Sequence, residues 1–196
     1  MILAAGTSSR LGRPKQLLPL GGKPLLQHAI DAASEAGLDE VIVVLGHEAD
    51  DVAAALRLPK GARTTMNPRY AEGQSTSLAA GLRALGPETG AAVILLGDQP
   101  LVSPTAIRAV VAVFEEAGGP VVQASYGGRP GHPVLLDRKI WAEIQQVEGD
   151  VGARDILARA PDRVTAVEVG GDPPDDVDTW QAYRRIGGDD GGRPPR

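Results

Sequence analysis

The chain contains no cysteine, which excludes disulfides, a thiol nucleophile and any thiolate metal site. Aromatic side chains make up only 3% of it, so its core has to be built from Ala, Val, Leu and Ile. An excess of positive charge is missing too. The formal net charge is −5, which argues against a general nucleic-acid surface and a polybasic membrane patch. No apolar run approaches a membrane span and no charged-then-apolar leader precedes the first motif, so a cytoplasmic location is the expectation. Within 196 residues, 42% hydrophobic and 23% charged, there is room for one soluble domain with a full core.

What is present begins at once. Ile2-Leu3-Ala4-Ala5-Gly6-Thr7-Ser8-Ser9-Arg10-Leu11-Gly12-Arg13-Pro14-Lys15 is a short apolar run that gives way to small and hydroxylated residues and then to three cations. Small residues let backbone N–H groups approach an anion, Arg offers a planar fork and Lys a compact charge. The stretch is either a polyphosphate loop or a basic surface turn. It has the spacing of neither the P-loop, Gly-x-x-x-x-Gly-Lys-Ser/Thr, nor the dinucleotide fingerprint, Gly-x-Gly-x-x-Gly.

Along the rest of the chain, helical and strand periods alternate. Leu25 to Ala36 carries helical spacing, and Val41 to Leu45 and Ala91 to Leu96 are continuous apolar runs suited to strands buried on both faces. Further helices are expected near 50–58, from Ser75 or Ser77 to Leu85, and after Ser103-Pro104, a strong N-cap signal. Val121 to Ser125 and Val134 to Leu136 read as strands around a loop at Gly127 to Pro133, too short for a crossover, which predicts an antiparallel element. A short helix near 153–160, a strand at 164–169 and a last helix at 179–186 follow. Met1 to Ala4 makes a first strand short for a central position. The pattern predicts an α/β fold, a three-layer Rossmann-like sandwich with a mostly parallel, mixed sheet, over residues 1–186. Residues 187–196, all Gly, Pro and charge, read as a disordered tail.

Several residues could carry chemistry. Asp98 closes an apolar strand beside Gly97 and before Pro100, so it is either a turn-forming carboxylate or a ligand for a hard cation. Asp178, in the acidic loop 175–178, is either the N-cap of the last helix or a second carboxylate of that kind. Asn67-Pro68 through Gly73-Gln74-Ser75-Thr76-Ser77-Leu78 joins a strand to a helix with donors and acceptors at the helix start. That is either a well-capped helix or part of a nucleobase pocket. His132, in Gly-Arg-Pro-Gly-His-Pro, has no evident orienting partner, and Arg154 follows Gly152-Ala153 at a helix start where an anion could sit.

Leu-Ala-Ala-Gly-x-Ser-x-Arg-x-Gly-x-Pro-Lys-x-Leu-Leu-Pro-Leu, from Leu3 to Leu20, resembles the signature loop of small-molecule nucleotidyltransferases. Among them it is most similar to the molybdenum cofactor cytidylyltransferase family of the MobA-like superfamily. Gly-Asp-Gln-Pro at 97–100 resembles that family's metal motif, and the similarity extends to about Thr179. At the acidic loop the family reads Asp-x-Asp-Thr-Pro-Glu-Asp. Here Trp180, Gln181 and Ala182 stand for the last three, which leaves Asp176 and Asp178 as alternatives for a second ligand.

The resemblance implies a nucleotidyltransferase domain over 1–186 that moves CMP from CTP onto the phosphate of a molybdopterin-type cofactor and releases pyrophosphate. It implies catalytic Lys15, Arg10 and Asp98. Nucleotide contacts would come from Leu3, Ala4, Ala5, Gly6, Thr7, Ser8, Ser9, Arg10, Lys15, Asn67, Gly73, Ser75 and Ser77, with Ser77 reading the base. It further implies acceptor contacts from His132 and Arg154, and Mg²⁺ (or Mn²⁺) on Asp98 with Asp178. A molybdenum hydroxylase or dehydrogenase would receive the product, and neither nucleic acid nor membrane would be a partner. Alternatives are a guanylyltransferase of the same cofactor, whose branch typically opens Gly-Gly where this chain has Ala4-Ala5-Gly6, a cytidylyltransferase for another phosphorylated acceptor such as a polyol phosphate, and a cofactor-inserting chaperone. An NAD(P)-dependent oxidoreductase is disfavoured by the missing Gly-x-Gly-x-x-Gly.

Overall fold

The computed structural model of the chain describes residues 1–8, 10–146 and 161–189. Its centre is β1 (Ile2–Leu3), flanked on one side by β4 (Val41–Leu45) and on the other by β6 (Ala91–Leu96). Both pairings are parallel, with Ile2 opposite Val43 and Leu95. The strand is as short as the sequence suggests, and it still holds the middle of the sheet because every neighbour contact is apolar. Ile2, Ile42, Val43, Val44, Ile94 and Leu95 are all fully buried. With β5 (Ala62–Met66), β7 (Val121–Tyr126), β8 (Arg129–Asp137) and β9 (Val164–Glu168), the order is β5-β4-β1-β6-β8-β7-β9. β8 runs antiparallel to both β6 and β7, and the other pairings within this sheet, among the described residues, are parallel.

Alternation along the strands sends side chains to two separate cores. Ile2, Val43 and Leu95 face α1 (Leu25–Glu35) and α4 (Pro104–Ala117), joined by Val52 of α2 (Ala49–Ala55). Leu3, Ile42, Val44 and Ile94 face α3 (Gln74–Ala84) and α5 (Trp141–Ile144). The result is the expected three-layer α/β sandwich. A third, smaller cluster joins Leu11, Leu18 and Leu25 to Val177 and to Tyr183 of α6 (Trp180–Arg185). A two-strand ribbon, β2 (Pro19–Leu20) with β3 (Lys23–Pro24), leads into α1.

Local signals explain most boundaries. Ser103 caps α4 by accepting a hydrogen bond from Thr105 N–H at 3.1 Å, with Pro104 at the first helical position. Two differences from the sequence reading stand out. The loop expected from Gly127 to Pro133 is only the turn Gly127-Gly128, both at positive φ, and β8 begins at Arg129. Pro130 and Pro133 fit this strand because β6 pairs with it only from Val134 onward. The last helix is capped by Thr179, whose side chain accepts from Ala182 N–H, and not by Asp178. The helix expected near 153–160 and residues 190–196 of the expected tail lie outside the described residues. Among the described residues no helix is long and apolar enough to cross a membrane.

β1 and β6 converge closely at their C-terminal ends. A Cβ on Gly97 would lie 2.8 Å from Ala4 Cβ and 2.9 Å from Leu26 Cδ1, contacts that packed groups cannot yield. We therefore expect Gly97→Ala to lower stability by about 1–3 kcal/mol in urea unfolding. Gly90→Ala, whose new methyl meets open space, should stay within ~0.5 kcal/mol of the parent. Equal midpoints for the two variants would contradict this packing.

Candidate active site

The segment after β1 is shaped from within. Ala4 and Ala5 are buried, whereas Gly6 and Thr7 are exposed. Ser8 accepts a hydrogen bond on its hydroxyl from Lys15 N–H at 3.0 Å, and its carbonyl accepts from Leu11 N–H and Gly12 N–H. Gln16, only 2% exposed, donates from Nε2 to the carbonyls of Ala4 at 2.7 Å and Gly6 at 3.2 Å. Ser8 and Gln16 thus turn the loop inward on itself and hold Lys15 at its inner edge. The three cations separate: Arg13 stacks over the Trp180 ring at 5.4 Å, Arg10 stands exposed 3.8 Å from Asp178, and Lys15 is mostly buried.

Lys15 Nζ lies between two carboxylates, 2.5 Å from Asp98 Oδ2 and 2.6 Å from Asp178 Oδ1. Burial alone would pull a lysine down. Asp98 and Asp178, by charge and by accepting its hydrogen bonds, outweigh that and hold Lys15 above its ordinary value. Asp98 arrives at the end of β6, as the sequence places it. Asp178 is brought in by Val177, which is fully buried in the third cluster and donates its N–H to Asp98 O at 2.9 Å. With Val177 pinned inward, its neighbours flank the site. Asp178 turns to Lys15, and Asp176 accepts from Gln99 Nε2 at 2.8 Å. Burial, with Asp98 and Asp178 adding repulsion, pushes Asp176 above the usual carboxylate range against that hydrogen bond.

Among the described residues no three or more His, Asp or Glu side chains converge as a metal cage. Two hard carboxylates already share one cation, the Lys15 ammonium. That donor set suits a small divalent ion completing its shell with phosphate oxygens and water.

The opposite wall comes from the β5–α3 connection. Leu3 to Thr7, Lys15, Gln16, Leu96 to Asp98, Tyr70 to Gln74 and Ser77 enclose a cleft of about 580 Å³. Gly46 allows this wall to close, since a Cβ there would fall 2.6 Å from Tyr70 Cβ and 2.8 Å from Ala5 O. Gly73 and Ser77 line the cleft. Asn67 and Ser75 are buried, at 2% and 3% exposure, and are not part of its lining. Asn67 is bonded instead to Arg69, Thr76 and Ser77.

A second cleft of about 300 Å³ holds His132 together with Gln99, Arg129, Asp175 and Asp176. Its Gln99 and Asp176 are chain neighbours of Asp98 and Val177, which are bonded to each other. Ser9 and Arg154 lie outside the described residues. Gln74, read with Ser75 and Ser77 as a donor and acceptor group at the helix start, does line the cleft, whereas sequence reasoning passed over Gln16, Tyr70 and Gln99. The one available signal was their position inside motifs already singled out.

Comparison with known proteins identifies the family and the fold. The family model of the MobA-like NTP transferase domain matches residues 1–164. The nicotine blue oxidoreductase of Paenarthrobacter nicotinovorans is 32% identical over 95% of this chain and 94% of its own. The crystal structure of Rv0371c from Mycobacterium tuberculosis H37Rv superposes with a TM-score of 0.85 at 34% identity, covering 94% of both chains. A second structure of Rv0371c, complexed with manganese, gives 0.80 at 33%, covering 94% of this chain and 95% of that one. A nucleotidyl transferase from Methanothermobacter thermautotroptrophicus, Mth528, gives 0.77 at 27%, with 94% and 93% covered.

If Val177 is the anchor of the acidic loop, Val177→Ala should lower stability by about 2 kcal/mol through lost burial and the space left behind. Urea unfolding reads this directly, and an unchanged midpoint would mean that the loop is held by other contacts.

Proposed function

The chain belongs to the MobA-like NTP transferase family, and from that premise we propose that it transfers CMP from CTP to the phosphate of a molybdopterin-type molybdenum cofactor. The observation that carries the reading is the Lys15 ammonium, held between Asp98 and Asp178 at the edge of the cleft walled by residues 3–7. A cation that can meet phosphate thereby stands against carboxylates that can hold a divalent ion, which is what in-line nucleotidyl transfer requires.

In that reaction an oxygen of the acceptor phosphate attacks the α-phosphorus. The bond from α-phosphorus to the bridging oxygen breaks, and pyrophosphate carries away the electron pair. No covalent protein nucleophile is needed, so catalysis is positioning plus neutralisation of charge. The backbone from Ala4 to Thr7 approaches the triphosphate, and exposed Arg10 reaches its outer phosphates. Lys15 exchanges its carboxylate partners for the α-phosphate, where charge builds. Asp98, with Asp178, would hold Mg²⁺ or Mn²⁺, which when bound supplies Lewis-acid stabilisation of the phosphate oxygens. The manganese complex of Rv0371c supports a divalent ion in this family. The 300 Å³ cleft at His132 supports an acceptor site beside the reacting phosphorus. A molybdenum hydroxylase or dehydrogenase would then take the product.

A second reading, a redox enzyme, is raised by the name of the Paenarthrobacter relative. The lysine and two carboxylates are chemistry for phosphate and not for hydride, which favours the transferase.

Pyrophosphate release is to be measured with each ribonucleoside triphosphate and Mg²⁺, with and without molybdopterin cofactor. The expected result is release from CTP that depends on the cofactor. Release from GTP alone would move the assignment to a guanylyltransferase. No release from any nucleotide, together with turnover of nicotine blue, would replace transfer by redox chemistry. Lys15→Ala and Asp98→Ala should each lower the rate about 100-fold or more, the scale of lost electrostatic stabilisation. Near-normal rates in folded variants would reject their roles.

A further inference from the structure

Asn67 was expected to touch the nucleotide, yet it stands behind the cleft wall. Its backbone is fixed by Asn67 N–H donating to Leu45 O at 2.8 Å, one step beyond the β4–β5 ladder. Its amide orientation follows from chemistry. Arg69 N–H, which can only donate, lies 3.0 Å from one end of the amide, so that end is the carbonyl Oδ1. The other end is therefore Nδ2, which can only donate, 2.9 Å from both Thr76 Oγ1 and Ser77 Oγ. Both hydroxyl oxygens accept. Thr76 has outlets for its own proton in the carbonyls of Gly73 at 2.8 Å and Arg69 at 2.9 Å. Ser77 is different. It is 5% exposed, it lines the cleft, and among the described residues its hydroxyl proton has no recorded acceptor.

We infer that Asn67 is a positioning residue for base selection: by donating to Ser77 Oγ it occupies one of that oxygen's two lone pairs and leaves the Ser77 proton for the nucleobase, which favours a base edge that presents an acceptor. This rests on the nucleotide reading of the 580 Å³ cleft and deepens it. Cytosine carries an unprotonated N3 beside its O2, whereas uracil carries N3–H between two carbonyls. A hydroxyl that donates at N3 is satisfied by the first and faces another donor in the second, an unmade bond of the kind that gives large discrimination. Selection of CTP over UTP is thus assigned to the Asn67–Ser77 pair, with Asn67 acting without contact.

Asn67→Asp reverses the polarity. A carboxylate still accepts from Arg69 N–H, but its other oxygen takes the Ser77 proton and leaves Ser77 only lone pairs for the cleft. The test is direct binding of CTP and UTP with Mg²⁺ by calorimetry, as a ratio of dissociation constants. We expect wild type to favour CTP at least tenfold, Asn67→Asp to shrink or invert that ratio by tenfold or more, and Asn67→Ala, which removes the donor without installing an acceptor, to fall between. In a Ser77→Ala background, Asn67→Asp should leave the ratio unchanged, because the hydroxyl through which it acts is gone. A purely structural role would weaken both nucleotides by the same factor, or would move the ratio equally with and without Ser77. Either result overturns the inference and leaves the transferase reading standing. Wild type that binds purine nucleotides only overturns the cytosine assignment alone, and wild type that binds no nucleoside triphosphate overturns both readings. Should Asn67→Asp fail to fold, Asn67→Ala in the presence and absence of Ser77 reads the same coupling.

Discussion

One lysine ammonium shared by two carboxylates holds the site together. Lys15 comes from the loop after β1, Asp98 from the end of β6 and Asp178 from the acidic loop before α6. As a source of stability this triad is modest. Asp178 is about half exposed, and desolvation of the lysine opposes the attraction. Its significance is geometric. It fixes three segments at one point and keeps a mostly buried cation charged beside the two carboxylates.

The sheet order explains why the triad forms there. β1 lies between β4 and β6, so the chain leaves β1 toward one side and later returns to pair on the other. Loops after strands at such a switch diverge and leave a crevice at the carboxyl ends. Gly97 lets the two strand ends approach, and Gly46 lets Tyr70 fold over the opposite side. The third segment depends on Val177. A buried apolar residue between two carboxylates converts an acidic stretch, otherwise a solvated loop, into a wall with Asp178 toward Lys15 and Asp176 toward Gln99.

The fold was legible because two of its central strands, β4 and β6, are apolar on both faces and are followed by glycine. Val41 to Leu45 and Ala91 to Leu96 announce themselves, and Asp98 follows from strand direction alone. Lys15 and Asp98 could therefore be brought to one edge before any coordinates. Less legible were residues whose polar atoms serve the protein and not the cleft. Nothing in the string Pro-Lys-Gln-Leu distinguishes Gln16, which braces the loop, from Lys15, which reaches across to Asp98 and Asp178. Likewise Asn67 sits in a motif that reads as contact, while its amide is spent on Arg69, Thr76 and Ser77. Distinguishing these requires the partners, which lie up to twelve positions away and across strands. The turn at Gly127-Gly128 was overestimated for a simpler reason. Pro130 and Pro133, inside the expected loop, occupy the part of β8 that β6 does not reach.

The central claim is that triphosphate and divalent ion meet at the junction of Lys15 with Asp98 and Asp178. Anomalous scattering from Mn²⁺ in crystals grown with a non-hydrolysable CTP analogue tests it most directly. The account predicts a peak in contact with Asp98 and with phosphate oxygens, and Lys15 Nζ moved onto the α-phosphate. A peak remote from Asp98, or a triphosphate bound away from the loop at residues 4–7, would contradict it.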